Sequence, residues 1–113
     1  MDWIITLPRF VQWEDYQREL DAVADGDGVL SYRVSCIPKG MVIGDRMFLV
    51  WRGQVRGWMG IHWFGRRLAF KCQTTGTQWP AGYYIQRSGK FHHISNGPLI
   101  RGFQGVRRYQ PNK

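Results

Sequence analysis

The stretch from Thr74 to Gly89, TTGTQWPAGYYIQRSG, carries the parts needed to hold a flat heterocycle. Trp79 lies on a Gly/Pro loop as a stacking platform. Gln78 and Thr77 offer hydrogen-bonding groups for a base edge, and Arg87 offers a fork for phosphate. Stacking contributes about 1–3 kcal/mol per base, enough to decide affinity. Tyr83 and Tyr84 are adjacent, so on a strand they point to opposite faces and only one can join such a cleft. The alternative for Trp79 is a cap over one end of the fold.

A second chemical surface comes from KGMVIGDRMFLVWRGQVRGWMGI, residues 39–61. The second strand of this hairpin, which runs on to Phe64, alternates. Val55, Gly57, Met59, Ile61 and Trp63 read as a core face, while Arg56, Trp58, Gly60, His62 and Phe64 mix charge with large aromatics on the other. Trp58 is therefore a second candidate for contact with a base. The preceding loop RVSCIPKG adds Arg33, Ser35 and Lys39 as a cleft wall, with Cys36 as a small buried filler.

Charge supports an anionic partner. The chain of 113 residues carries a net charge of +8. All eight acids lie within the first 45 residues, beside four bases; the remainder holds twelve bases and no acid. Twelve of the sixteen bases are Arg, which forks onto phosphate and stacks on flat rings. Solubility alone does not require acids to be excluded from so long a stretch, so a polyanion is the expected partner. Arg56, Arg66, Arg67, Lys71, Arg87, Arg107 and Arg108 are the expected phosphate contacts, with Arg101 a further base of this kind. Phosphate contacts position a nucleic acid without specifying its sequence.

Other chemistries find little support. His62, His92, His93, Cys36 and Cys72 lack HxxxH or CxxC spacing, so no metal is expected. A carboxylate base would have to come from the first 45 residues, and Asp45 in GDR reads as a turn residue accepting from backbone amides. No catalytic residue and no cofactor are assigned. Cys36 and Cys72 read as free thiols, with a disulfide the alternative. No apolar run is long enough to cross a bilayer, and MDWIITLPRF lacks the basic region of a signal peptide; the expectation is a cytoplasmic monomer that does not engage membranes.

The elements that must position these residues follow from period and punctuation. WIITLP is a short buried strand stopped by Pro8. Trp13, Tyr16, Leu20 and Val23 mark a helix from Phe10 to about Ala24, closed by DGDG. VLSYRVSCI, RMFLVW, QVRGWMGIHWF, LAFKCQTT, GYYIQRS and KFHHIS read as strands, with a tight turn at Arg52 and Gly53 and a last short strand in GFQGVRRYQPNK. Fourteen glycines suit the bends of a small, strongly curved barrel.

The order of WIITLP, a helix, RVSCIPKG, Gly44-Asp45-Arg46 and GQVRGWMGI resembles the PUA-like superfamily, particularly its EVE and ASCH domains, over residues 2–64. That resemblance implies an α+β, mostly β fold: a small PUA-like β-barrel of five to seven strands with an N-terminal helix packed on it, as one domain over 1–113. It also implies nucleic-acid binding, RNA ahead of DNA, with an unpaired or modified base taken near the loop before GDR. The expected base cleft is Arg33, Ser35, Lys39, Trp58, Gln78, Trp79 and Tyr83. One alternative, an ASCH-like amidohydrolase acting on a modified nucleoside, would use Lys39 with Thr74 or Thr75, but no Glu follows Lys39. The other is a phage or mobile-element inhibitor whose Arg-rich face meets a protein partner.

Overall fold

A computed structural model describes residues 1–25, 28–71 and 76–110. Strand β1 (Asp2–Thr6) leads into a turn in which the Val11 amide donates to the Pro8 carbonyl at 3.1 Å. This turn delays helix α1 to Trp13–Asp25, three residues later than the periodicity predicts, and leaves Phe10 exposed. Tyr16, Leu20 and Val23 form the buried stripe of α1, and Glu14 and Asp15 lie in its first turn, where the helix dipole favours negative charge. Strands β2 (Leu30–Val34), β3 (Arg46–Trp51) and β4 (Gln54–Arg67) follow. A two-stranded ribbon pairs β5 (Phe70–Lys71) with β6 (Gln78–Trp79), before the long β7 (Gly82–His93) and short β8 (Arg107–Arg108).

The main sheet has the order β2-β7-β4-β3-β1-β8. Only β1 and β3 run parallel, joined by the crossover that contains α1. The fold is α+β and mostly β, but the sheet is a curled half-barrel rather than a closed one. Its edges are β2 and β8, which share no ladder. A cavity of about 390 Å³ lies between residues 32–38 of the β2 side and Gly105 and Val106 of the β8 side, bridged by a bond between Tyr32 and the Gly105 backbone.

Both faces of the central strands are covered. Trp3, Ile5, Met47, Leu49, Met59, Ile61 and Ile85 pack with α1. Ile4, Phe48, Val50 and Val55 pack on the other face against Trp58, Ile94, Ile100, Phe103 and Tyr109, from β4 and the chain that follows β7. The strict alternation expected of β4 breaks at two bulges. Leu49 pairs with Gly57 but Val50 with Val55, which leaves Arg56 as an extra residue and moves Val55 to the outer cluster. Ile61 pairs with Arg87 but Trp63 with Gln86, so His62 is extra, and Phe64 rather than Trp63 packs against the core. The two strands expected from GYYIQRS and KFHHIS are one strand, β7, because Gly89 at φ +82° absorbs a third irregularity without ending it.

Asp45 does act as the turn residue expected of it. Its carboxylate accepts from Trp3 Nε1 and from the Val42 amide, each at 2.9 Å. Burial works to raise its pKa. The bonds from Val42, Trp3 and the terminal amine outweigh that and hold it below the ordinary value.

Candidate nucleic-acid interface

Register brings many of the expected contacts to one end of the sheet. Here β2 finishes, β4 finishes and β7 begins: Val34 pairs with Tyr83, Arg66 with Tyr83, and Arg67 with Gly82. The ribbon projects from the same end, with Lys71 opposite Gln78 and Phe70 opposite Trp79. Arg33 lies along the start of β7, its guanidinium 3.5 Å from the Ala81 carbonyl; a Cβ on Gly82 would crowd it at 3.1 Å. Arg33, Arg66, Arg67, Lys71, Gln78, Trp79 and Tyr83 therefore surround one end of β4 and β7. Among the described residues none of the four bases is ion-paired.

Aromatic packing builds a platform within this group. The Arg67 guanidinium lies 3.8 Å from the centre of the Phe70 ring. Phe70 is nearly parallel to Trp79, with centroids 6.4 Å apart, and Trp79 meets the buried Tyr84 edge-on at 5.8 Å. Tyr84 is fully buried and its hydroxyl donates to the Pro80 carbonyl, whereas Tyr83 is 39% exposed. The two tyrosines divide between core and surface, as their adjacency requires.

Behind the platform a pocket of about 280 Å³ lies between α1, β2, β7 and the ribbon. Tyr16, Glu19, Ser31, Trp79 and Arg87 line it. Arg87 is only 4% exposed, which corrects its expected place on the phosphate-binding surface: it lies behind Tyr16, to whose hydroxyl it donates at 2.9 Å. Its Nε and the Trp79 Nε1 are both buried with no hydrogen-bond partner. Glu19 stands on the acceptor side. Burial raises its pKa, Arg87 lowers it, Asp15 raises it again, and the net shift is upward. The residues around this small space thus carry two unused N–H donors and a carboxylate acceptor, the mixed set that a heterocycle with both carbonyl and N–H groups would satisfy.

Other expected contacts lie elsewhere. Trp58 is stacked on His92 at 3.9 Å and packed into the outer cluster, and it is not among the residues that line the pocket beside Trp79. Arg56 lies over Trp51 at 5.0 Å and donates to that residue's carbonyl, near the turn at the far end of β4. Arg107 and Arg108 lie on the β8 edge, over Phe103 and Trp3 at 4.6 and 5.7 Å. Ser35 lines the cavity between the sheet edges with Arg33, while Lys39 is exposed on the loop after it. Cys36 is free and exposed, not the buried filler expected. Cys72, Thr74 and Thr75 fall outside the described residues.

Sequence reasoning passed over Tyr16, Glu19 and Ser31. Tyr16 read as core and Glu19 as solvated helix surface. The available signal was a tyrosine, whose tip is polar, within the apolar stripe of α1.

Among the described residues no three His, Cys, Asp or Glu side chains gather as a metal site would need, and no helix is long and apolar enough to cross a membrane. No protein-family model, curated protein or solved structure matches this chain.

Proposed function

We propose that the protein is a nucleic-acid-binding module that takes one unpaired or modified base of a single strand, RNA ahead of DNA, at the ribbon end of its sheet. The observation that carries this reading is the pair of unpartnered buried donors, Arg87 Nε and Trp79 Nε1, on residues that line one pocket, with Trp79 packed near Phe70 and Phe70 under the Arg67 guanidinium. In the proposed complex Arg33, Arg66, Arg67 and Lys71 contact phosphates. The base enters the pocket, its carbonyl accepts from Arg87 and Trp79, and Glu19 accepts from its N–H groups. An N-terminal helix seated on a curled, mixed sheet supports the PUA-like resemblance.

Chemical-shift mapping with a short single-stranded RNA tests the location. The expected shifts centre on Arg33, Arg67, Gln78 and the Trp79 indole. Shifts centred on the β8 edge or the outer cluster would contradict the site.

A further inference from the structure

A second cationic feature lies at the opposite end of β4. The end of β1, the β3–β4 turn and the chain at residues 101–102 enclose a groove of about 550 Å³. Its charged lining consists of Arg9, Arg52 and Arg101, with no acid. Among the described residues none of the three is ion-paired. Thr6 lines the same groove, and its hydroxyl is buried with no hydrogen-bond partner. Gly53 and Gly102 complete the wall without side chains, leaving the backbone open to a close ligand.

Arg52 is held there at a conformational cost. It occupies the first central position of the β3–β4 turn with φ +49°, followed by Gly53 at +77°. Two-residue hairpin turns with positive φ at both positions favour Asn, Asp or Gly, which this position does not use. An observed backbone outlier of this kind points to function. The Arg52 guanidinium lies 4.5 Å from the centre of the Trp51 ring, and Trp51 is itself fixed by a 2.8 Å bond to the Val11 carbonyl. Stacking restrains the guanidinium and leaves its N–H edge free, a preorganised fork.

We propose that this groove binds a single phosphate group, through the forks of Arg9, Arg52 and Arg101 with the Thr6 hydroxyl as a further donor. Three like charges around one space repel, and a dianion removes that repulsion while satisfying the buried hydroxyl. The site does not depend on the ribbon-end interface. It can take free phosphate or the phosphorylated end of a nucleic acid.

The test follows the arginine Nε–H resonances of the full chain during titration with inorganic phosphate, chloride holding ionic strength constant. The Arg52 and Arg101 signals are expected to shift and saturate. Arg52→Gln and Arg101→Gln should each weaken binding at least about ten-fold, as loss of a bond to a charged group implies. Thr6→Val keeps the side-chain shape and should weaken binding several-fold (~3–10) with an unchanged melting temperature. Shifts that grow without saturation, or that match at Arg66 and Arg107, would overturn the site. Single-stranded RNA with a 5′-phosphate or a 5′-hydroxyl then separates the sources: preference for the phosphate end assigns the groove to a terminus, and equal binding assigns it to the free anion. Failure with phosphate while RNA still binds would remove this groove and leave the ribbon-end interface standing.

Discussion

Arg87 donates to the Tyr16 hydroxyl at 2.9 Å, so a cation buried in the middle of β7 is held by a neutral group on α1. A guanidinium stays charged at any ordinary pH, and removing it from water is expensive unless its donors are met. Glu19 offers only a longer-range attraction. The arrangement makes sense for a donor kept ready for a ligand.

Two substitutions separate that role from a structural one. Tyr16→Phe removes the acceptor, and urea denaturation should show a loss of about 1–3 kcal/mol. Arg87→Met removes the buried charge while keeping much of the side-chain volume. It should leave stability unchanged or higher and weaken RNA binding at least about ten-fold. If Arg87→Met instead unfolded the protein, Arg87 would be a structural residue.

Asp45 sets an acid limit on stability. Its folded-state pKa lies below the unfolded one, so its stabilising contribution is complete above the ordinary Asp value of about 4 and is lost as pH falls through its lowered value. Asp45→Asn should cost about 1–3 kcal/mol at neutral pH. Its amide oxygen can keep the bonds from Trp3 and Val42, which share one carboxylate oxygen, but its amide nitrogen then faces the terminal amine that the other oxygen held at 3.0 Å. The gap from the wild type should narrow steadily below about pH 4. Denaturation curves from pH 7 to pH 2 measure it, and a constant gap would contradict this role.

Close packing of β4 on β7 depends on Gly57. A Cβ there would enter the van der Waals shell of the His92 carbonyl and the Phe91 ring, whereas one on Gly60 would meet nothing within 4 Å. Gly57→Ala should therefore destabilise by at least about 2 kcal/mol. Gly60→Ala, three residues along the same strand, should be neutral or stabilise by up to about 1 kcal/mol. Thermal melts of the two variants provide the comparison, and equal losses would refute the packing.

Local pattern made much of this fold readable. The burial of Trp3, the stripe of Tyr16, Leu20 and Val23, the Arg52–Gly53 turn and the division of Tyr83 from Tyr84 all follow from period and punctuation. Bulges were not legible, because one extra residue at Arg56 or His62 leaves the composition of a strand unchanged while exchanging its faces. Hence Phe64 and Trp63 exchanged roles. The cover over the outer face was equally hidden, since Ile94, Ile100 and Phe103 lie in irregular chain with no period. Within the site, Trp79 and the Arg66–Arg67 pair were visible as residue types. Their assembly with Tyr16 and Arg87 depends on long-range register that no local window contains.

The most direct measurement is anisotropy of a labelled single-stranded RNA from about 50 to about 200 mM salt, for the wild type and for Arg66→Gln/Arg67→Gln/Lys71→Gln. Each phosphate neutralised on a single strand contributes a slope of about 0.7, so four contacts predict roughly a fifty-fold loss of affinity over that range. The triple variant should bind weakly even at low salt and retain only about a quarter of the slope. Equal affinity and slope in the two proteins, or no binding by the wild type at low salt, would contradict a nucleic-acid interface at the ribbon end of the sheet.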